Sequence, residues 1–160
     1  VVVSRPARTP TIGRVLTWAA PVAVAVAAAL VAFVLLSGDG GVVEFDGEMV
    51  SADGGESAQV TVEALGIGRR ISLDTDDLPI LPTSEYYELW FVGPGDTPQS
   101  PNRISAGTFH PDEDGRSQIE FVAAVDPTLY PTMVITAEPG DGNPLPGGPE
   151  VLRAVIPERS

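Results

Sequence analysis

Two hydrophobic patterns divide this chain. No charged residue occurs from Val15 to Leu36, whereas beyond Gly41 short apolar runs alternate with polar positions between Gly, Pro, Asn and Asp. The first pattern is long enough to cross about 30 Å of hydrocarbon as one α-helix. It exceeds the roughly 7–15 residue core of a signal peptide, and Leu30 to Leu36 stay apolar past the small residues Ala27, Ala28 and Ala29. A membrane anchor is therefore expected over 15–36, not a cleaved signal. Pro21 lies near its start, where the first helical turn lacks hydrogen-bond partners anyway. Ala19, Ala23 and Ala27 make a small-residue stripe of the kind that packs helices, although the richness of the segment in Ala accounts for it equally well.

The second pattern predicts strands at Val42 to Met49, Ala58 to Leu65, Arg70 to Leu73, Tyr86 to Val92 and Ser105 to Phe109. Three more are expected at Gln118 to Ala124, Met133 to Glu138 and Val151 to Ile156. In Val60-Thr61-Val62-Glu63-Ala64-Leu65 and in Gln118-Ile119-Glu120-Phe121-Val122 the apolar side chains fall mostly on one face. Period two with one polar face marks an antiparallel sheet packed on one side. Eight such strands predict an all-β domain, specifically an antiparallel β-sandwich. Asp112-Glu113-Asp114-Gly115 suits a tight hairpin, and Gly93-Pro94-Gly95-Asp96 ends the aromatic strand with another turn. Pro139 to Pro149, rich in Pro and Gly, predicts a long ordered loop. No internal repeat is visible.

Charge adds an orientation. Arg5, Arg8 and Arg14 precede the uncharged run without an acid; all 22 Asp and Glu and only six Arg follow it. Arginines on one flank keep that flank in the cytoplasm. The expected organisation is a basic cytoplasmic tail (1–14), a transmembrane helix (15–36), a juxtamembrane linker with the first strand (37–57) and the main β-domain (58–160). The protein is thus expected in the plasma membrane, crossing once, with its C-terminal domain outside. Ser37 to Gly41 reads as a flexible linker. The acidic domain repels nucleic acid and anionic lipid heads, so no direct nucleic-acid partner is expected. Without cysteine there is no disulfide framework and no thiolate to hold zinc. All nine basic residues are Arg, the usage of a GC-rich genome, which points to an actinobacterial source.

Candidate chemistry is sparse. His110 is the single histidine, there is no Lys, and no Gly-x-Ser-x-Gly elbow exists, so hydrolase machinery is not expected. Beside Pro111, His110 reads as a loop residue. Asp112, Glu113 and Asp114, or Asp74, Asp76 and Asp77, offer oxygen ligands of the kind calcium takes, but neither set completes a calcium loop, and a solvated acidic turn is the simpler account. Arg69-Arg70 after Gly66 and Gly68 reads as a strand edge. No catalytic, cofactor or metal residues are predicted, and no enzyme. The aromatic strand Tyr86-Tyr87-Glu88-Leu89-Trp90-Phe91-Val92 carries large apolar side chains on both faces, as a central core strand would.

Four ordered segments resemble the C-terminal domain of the anti-sigma-K factor (RskA-type) family. They are Leu78-Pro79-Ile80-Leu81-Pro82, Tyr87-Glu88-Leu89-Trp90-Phe91-Val92, Ala106-Gly107-Thr108-Phe109 with Asp114-Gly115, and Ile135 through Pro146, which is similar to a Thr-x-Glu-Pro-x-Gly signature. The resemblance spans roughly 58–156. It implies a membrane-bound regulator that restrains a sigma factor and releases it after proteolysis by membrane proteases. Tyr87, Leu89, Trp90, Gly107, Phe109, Glu138, Pro139 and Gly140 are then structural motif residues. Trp90 is expected to fill the sandwich, Gly107 to allow a close approach or bulge, and Glu138 to accept backbone N–H bonds from the Gly-rich loop. Sigma-factor binding is expected in a separate or missing cytoplasmic domain, because the residues before Val15 are too few to fold and lack the family's His-x-x-x-Cys-x-x-Cys motif. The alternative from the residues alone is a membrane-tethered module that binds a ligand or calcium; a purely structural tethered domain is the third.

Overall fold

The computed structural model describes residues 41–76 and 78–158, so the expected cytoplasmic tail, the helix over 15–36 and most of the linker lie outside the described residues. Among the described residues no helix is long and apolar enough to cross a membrane. What is described is all-β: β1 (Val42–Val50), β2 (Ser57–Leu65), β3 (Gly68–Thr75), β4 (Glu85–Val92), β5 (Arg103–Phe109), β6 (Ser117–Ala123), β7 (Thr132–Pro139) and β8 (Glu150–Val155). Each contains an expected strand almost entirely. The largest boundary change is at β3, which starts at Gly68 because Leu65 pairs directly with Gly68 across a two-residue turn.

The strands form one antiparallel sheet in the order β5-β4-β7-β8-β1-β2-β3-β6. This corrects the expected sandwich. The two four-stranded halves that a sandwich needs are present, but β1 and β8 bridge them through the pair Val50↔Arg153. The sheet curls until its two edge strands approach, so it is nearly closed into a barrel. Closure lacks a ladder: β5 and β6 share no strand pairing, although Asp112–Gly115 forms its turn between them. The expected hairpin at that position is therefore a crossing between sheet edges. Phe121 fills the gap from β6. Its ring would lie 2.5 Å from any Cβ at Gly107, where φ is +148°, and it sits 6.2 Å from the Phe109 ring.

Alternation builds the interior. Val60, Val62, Ile71, Leu73, Tyr87, Leu89, Phe91, Met133, Ile135 and Leu152 are buried in one cluster inside the curl. Each large aliphatic or aromatic side chain so buried contributes about 1.5–3 kcal/mol. Consecutive strands alternate in direction, which fixes two ends. At the proximal end the chain enters β1, and the connections 66–67, 93–102 and 124–131 turn back there. The distal end carries the connections 51–56, 76–84, 110–116 and 140–149.

Candidate functional site

The segments singled out in the sequence converge at the distal end. Tyr87, buried on β4, donates its hydroxyl to the carbonyl of Pro79 at 2.7 Å, and Leu78 beside it is buried in the core. Burial, reinforced by the charge of Glu56, pushes the Tyr87 phenol above its usual range. His110 Nε2 lies 3.0 Å from the Leu81 carbonyl and Nδ1 lies 2.9 Å from that of Pro111. The imidazole thus ties the β5–β6 connection to the Leu78–Pro82 segment. Phe109 packs against Tyr87 with ring centroids 5.4 Å apart. A cleft of about 440 Å³ opens among Ser51, Asp53, Glu56, Pro79, Leu81 and Tyr87.

A second structure covers the outer face of β4 and β7. Leu89 belongs to the interior cluster, but Trp90, Val92 and Val134 form a separate buried group. Strand alternation puts Trp90 and Val92 on the face opposite Leu89 and Phe91. Trp90 therefore does not fill the interior, as expected of it, but anchors an outer cluster. The Arg103 guanidinium lies over the indole at 5.7 Å and is ion-paired with Asp96, whose carboxyl that partner holds below the usual carboxylate range.

From Trp90 a polar chain runs to the long loop. The indole Nε1–H donates to Thr136 Oγ1 at 2.9 Å, and the Thr136 hydroxyl donates to Glu138 Oε1 at 2.5 Å. Glu138 Oε2 accepts the backbone N–H groups of Gly147 at 2.8 Å and Gly148 at 2.9 Å. Glu138 is 3% exposed, so this carboxylate is a clamp between strand and loop rather than a solvated acid. The backbone closes the clamp further: Ala137 N–H donates to the Pro149 carbonyl at 3.0 Å. Pro139 pairs with Glu85, and a Cβ on Gly140 would fall 1.8 Å from the Ser84 carbonyl oxygen. Sequence reasoning expected the Gly-rich loop to donate to Glu138 but did not single out Gly147 and Gly148, and it gave no role to Thr136 or Arg103. The i, i+2 spacing of Thr136 and Glu138 on a strand was the available signal, since it puts both on one face.

Neighbouring Glu88 accepts the Ser105 hydroxyl at 2.5 Å. Burial pushes its carboxyl above the usual range; the Ser105 bond opposes this and the charge of Glu138 adds to it. A carboxyl raised on folding contributes most favourably below its unfolded value of about 4.3 and loses that contribution as pH rises through the folded value. Glu88→Gln should therefore melt above the wild type at pH 7, with the difference vanishing below about pH 4. Thermal melts at the two pH values check this.

In the Asp112–Gly115 turn the Asp112 and Asp114 carboxylates are engaged by the chain itself. Asp112 Oδ1 accepts the N–H groups of Asp114 and Arg116, both at 2.9 Å, and Arg116 is ion-paired with Asp112 and Asp114. Among the described residues, which leave out Asp77, no group of three or more His, Asp or Glu could hold a metal ion. Arg69 pairs with Glu44 at 2.5 Å and Arg70 with Glu63 at 3.2 Å; both stand within β3, between β2 and β6, so they tie strands of the sheet together and do not cap an edge as expected.

Comparison with protein families matches residues 19–150 to the family described as "Anti-sigma-K factor rskA, C-terminal". The chain belongs to that family. The match covers the distal segments and the Glu138 clamp, and it begins at Ala19, inside the uncharged run. It stops at Glu150, whereas the fold needs β8 beyond it: Leu152, Ala154 and Ile156 are all in the core. Comparison with curated proteins and with solved structures returned no match. Anti-sigma factors are regulators, not enzymes, and membership places this chain among regulators of that type, with a sigma factor as the general partner.

Proposed function

We propose that the chain is the membrane-tethered sensory part of an anti-sigma regulator. Residues 15–36 cross the plasma membrane once, the arginine-rich tail stays in the cytoplasm, and the β-domain stands outside. A cytoplasmic domain separate from these residues holds the sigma factor. Release follows proteolysis of the linker by membrane proteases. The observation that carries this reading is a family match that runs from within the uncharged segment through the sheet.

Pairing at the start of β1 supports a gate in this reading. Val42 and Val43 pair with Ala64 and Glu63 as soon as the linker ends, and a Cβ on Gly41 would meet the Glu63 Cβ at 2.8 Å. Proteases take substrates as extended strands added to their own edges, and a backbone already laid against β2 is not available for that. Unfolding the domain frees it. In cells carrying the full chain, immunoblots should show an intact band for the wild type and a shortened membrane-bound band for a destabilised variant such as Glu138→Ala. A destabilised variant that stays intact under stress would refute the gate.

A further inference from the structure

We infer that the proximal end of the β-domain is a membrane-contacting surface, seated on the boundary between lipid headgroups and acyl chains. The inference rests on the single-crossing reading above and adds to it which face of the domain meets the bilayer.

Exposed aliphatic side chains carry the argument. Among the described residues nine large hydrophobics are exposed, and six of them ring the proximal end: Val42, Val43, Ile67, Val122, Leu129 and Val155. Ile67 is 79% exposed at the tip of the β2–β3 turn, and Leu129 is 62% exposed in the β6–β7 connection. Isolated surface aliphatics are ordinary, but a concentration at one end marks an interaction surface.

Chain length chooses the partner. Only Ser37 to Gly41 separate Leu36 from β1. Five extended residues reach at most about 17 Å, and the headgroup layer on one side of a bilayer takes up roughly 5–7 Å of that. With residues 15–36 spanning, the rim where β1 begins cannot rise far from the lipid. An apolar rim held there inserts as interfacial helices do, about 5–10 Å deep.

Charge is distributed to permit this, even though the domain as a whole repels anionic surfaces. Toward the proximal end Glu44, Glu63 and Asp96 are each ion-paired, with Arg69, Arg70 and Arg103, and the Asp126 carboxylate accepts the backbone N–H and hydroxyl of Thr128. At the distal end Asp53, Glu56, Asp76, Glu113 and Asp141 stand in connections whose sole arginine is Arg116. Repulsion from an anionic bilayer therefore turns the distal end away.

The absence of native cysteine permits a direct test on the full chain. Single variants Ile67→Cys, Leu129→Cys, Ile80→Cys and Leu145→Cys, each checked for wild-type melting, are labelled with an environment-sensitive dye. They are then reconstituted in phosphatidylethanolamine–phosphatidylglycerol vesicles. Labels at 67 and 129 should shift to the blue and lose more than about half their emission to nitroxides placed just below the headgroups, the depth of interfacial insertion. Labels at 80 and 145 should do neither. Equal quenching at all four positions, or at none, in protein that floats with the vesicles overturns the docking alone. Protein that does not float overturns the crossing and the docking with it.

Discussion

Glu138→Ala is expected to lower the stability of the β-domain by about 3 kcal/mol, because three hydrogen bonds to a buried carboxylate disappear and their donors lose an ionised acceptor. The midpoint of thermal unfolding should fall by roughly 10 °C for a domain of this size. The loss is local before it is global. Gly147 and Gly148 no longer have an acceptor on β7, so the 140–149 loop should become sensitive to limited proteolysis below the melting temperature. Glu138→Gln separates shape from charge. Its side-chain oxygen can face the glycine N–H groups while its amide nitrogen faces Thr136, whose hydroxyl already accepts from Trp90. That variant should lose about 1 kcal/mol, the difference between a charged and a neutral acceptor. A Glu138→Gln protein that melts with the wild type would remove the charge from this explanation.

Gly148→Ala is expected to be as damaging for a steric reason. A Cβ there would lie 1.7 Å from the Ala137 carbonyl oxygen and 2.5 Å from its carbon, both backbone atoms of β7. No rotamer relieves that overlap, so the loop must lift. The bonds from Gly147 and Gly148 to Glu138, and from Ala137 to Pro149, then go together. Three bonds at about 1 kcal/mol each set the expected loss near 3 kcal/mol. Gly147→Ala is the matched control: its nearest atoms stand at 3.8 Å and its φ is not in the left-handed region, so it should melt within about 0.5 kcal/mol of the wild type. Chemical unfolding of both variants, side by side, reads the contrast.

Much of this fold was legible from period-two alternation. Val60 and Val62 on β2, or Leu89 and Phe91 on β4, point to one face whatever their partners are, and they are in the core. The partners were not legible. Continuity of the sheet depends on Val50 meeting Arg153 across most of the chain, and its incomplete closure on β5 and β6 failing to pair; neither fact leaves a local trace. Asp112–Gly115 looked like a hairpin because its turn chemistry is right; only the strand order shows that it crosses between edges. Trp90 illustrates a further limit. Alternation correctly separated it from Leu89, but cannot tell an interior from a second apolar layer under Arg103. The Glu138 clamp was half visible: a Glu before Pro-Gly suggested an acceptor for the loop. Which of the loop's glycines donate depends on how closely the backbone returns over β7.

Cysteine accessibility in intact cells tests the single crossing most directly. Ser4→Cys and Leu145→Cys, made separately in the full chain, are exposed to a membrane-impermeant maleimide before and after lysis. The arrangement proposed here predicts labelling at 145 in intact cells and at 4 only once the membrane is broken. Labelling at 4 in intact cells, with 145 protected until lysis, would contradict it.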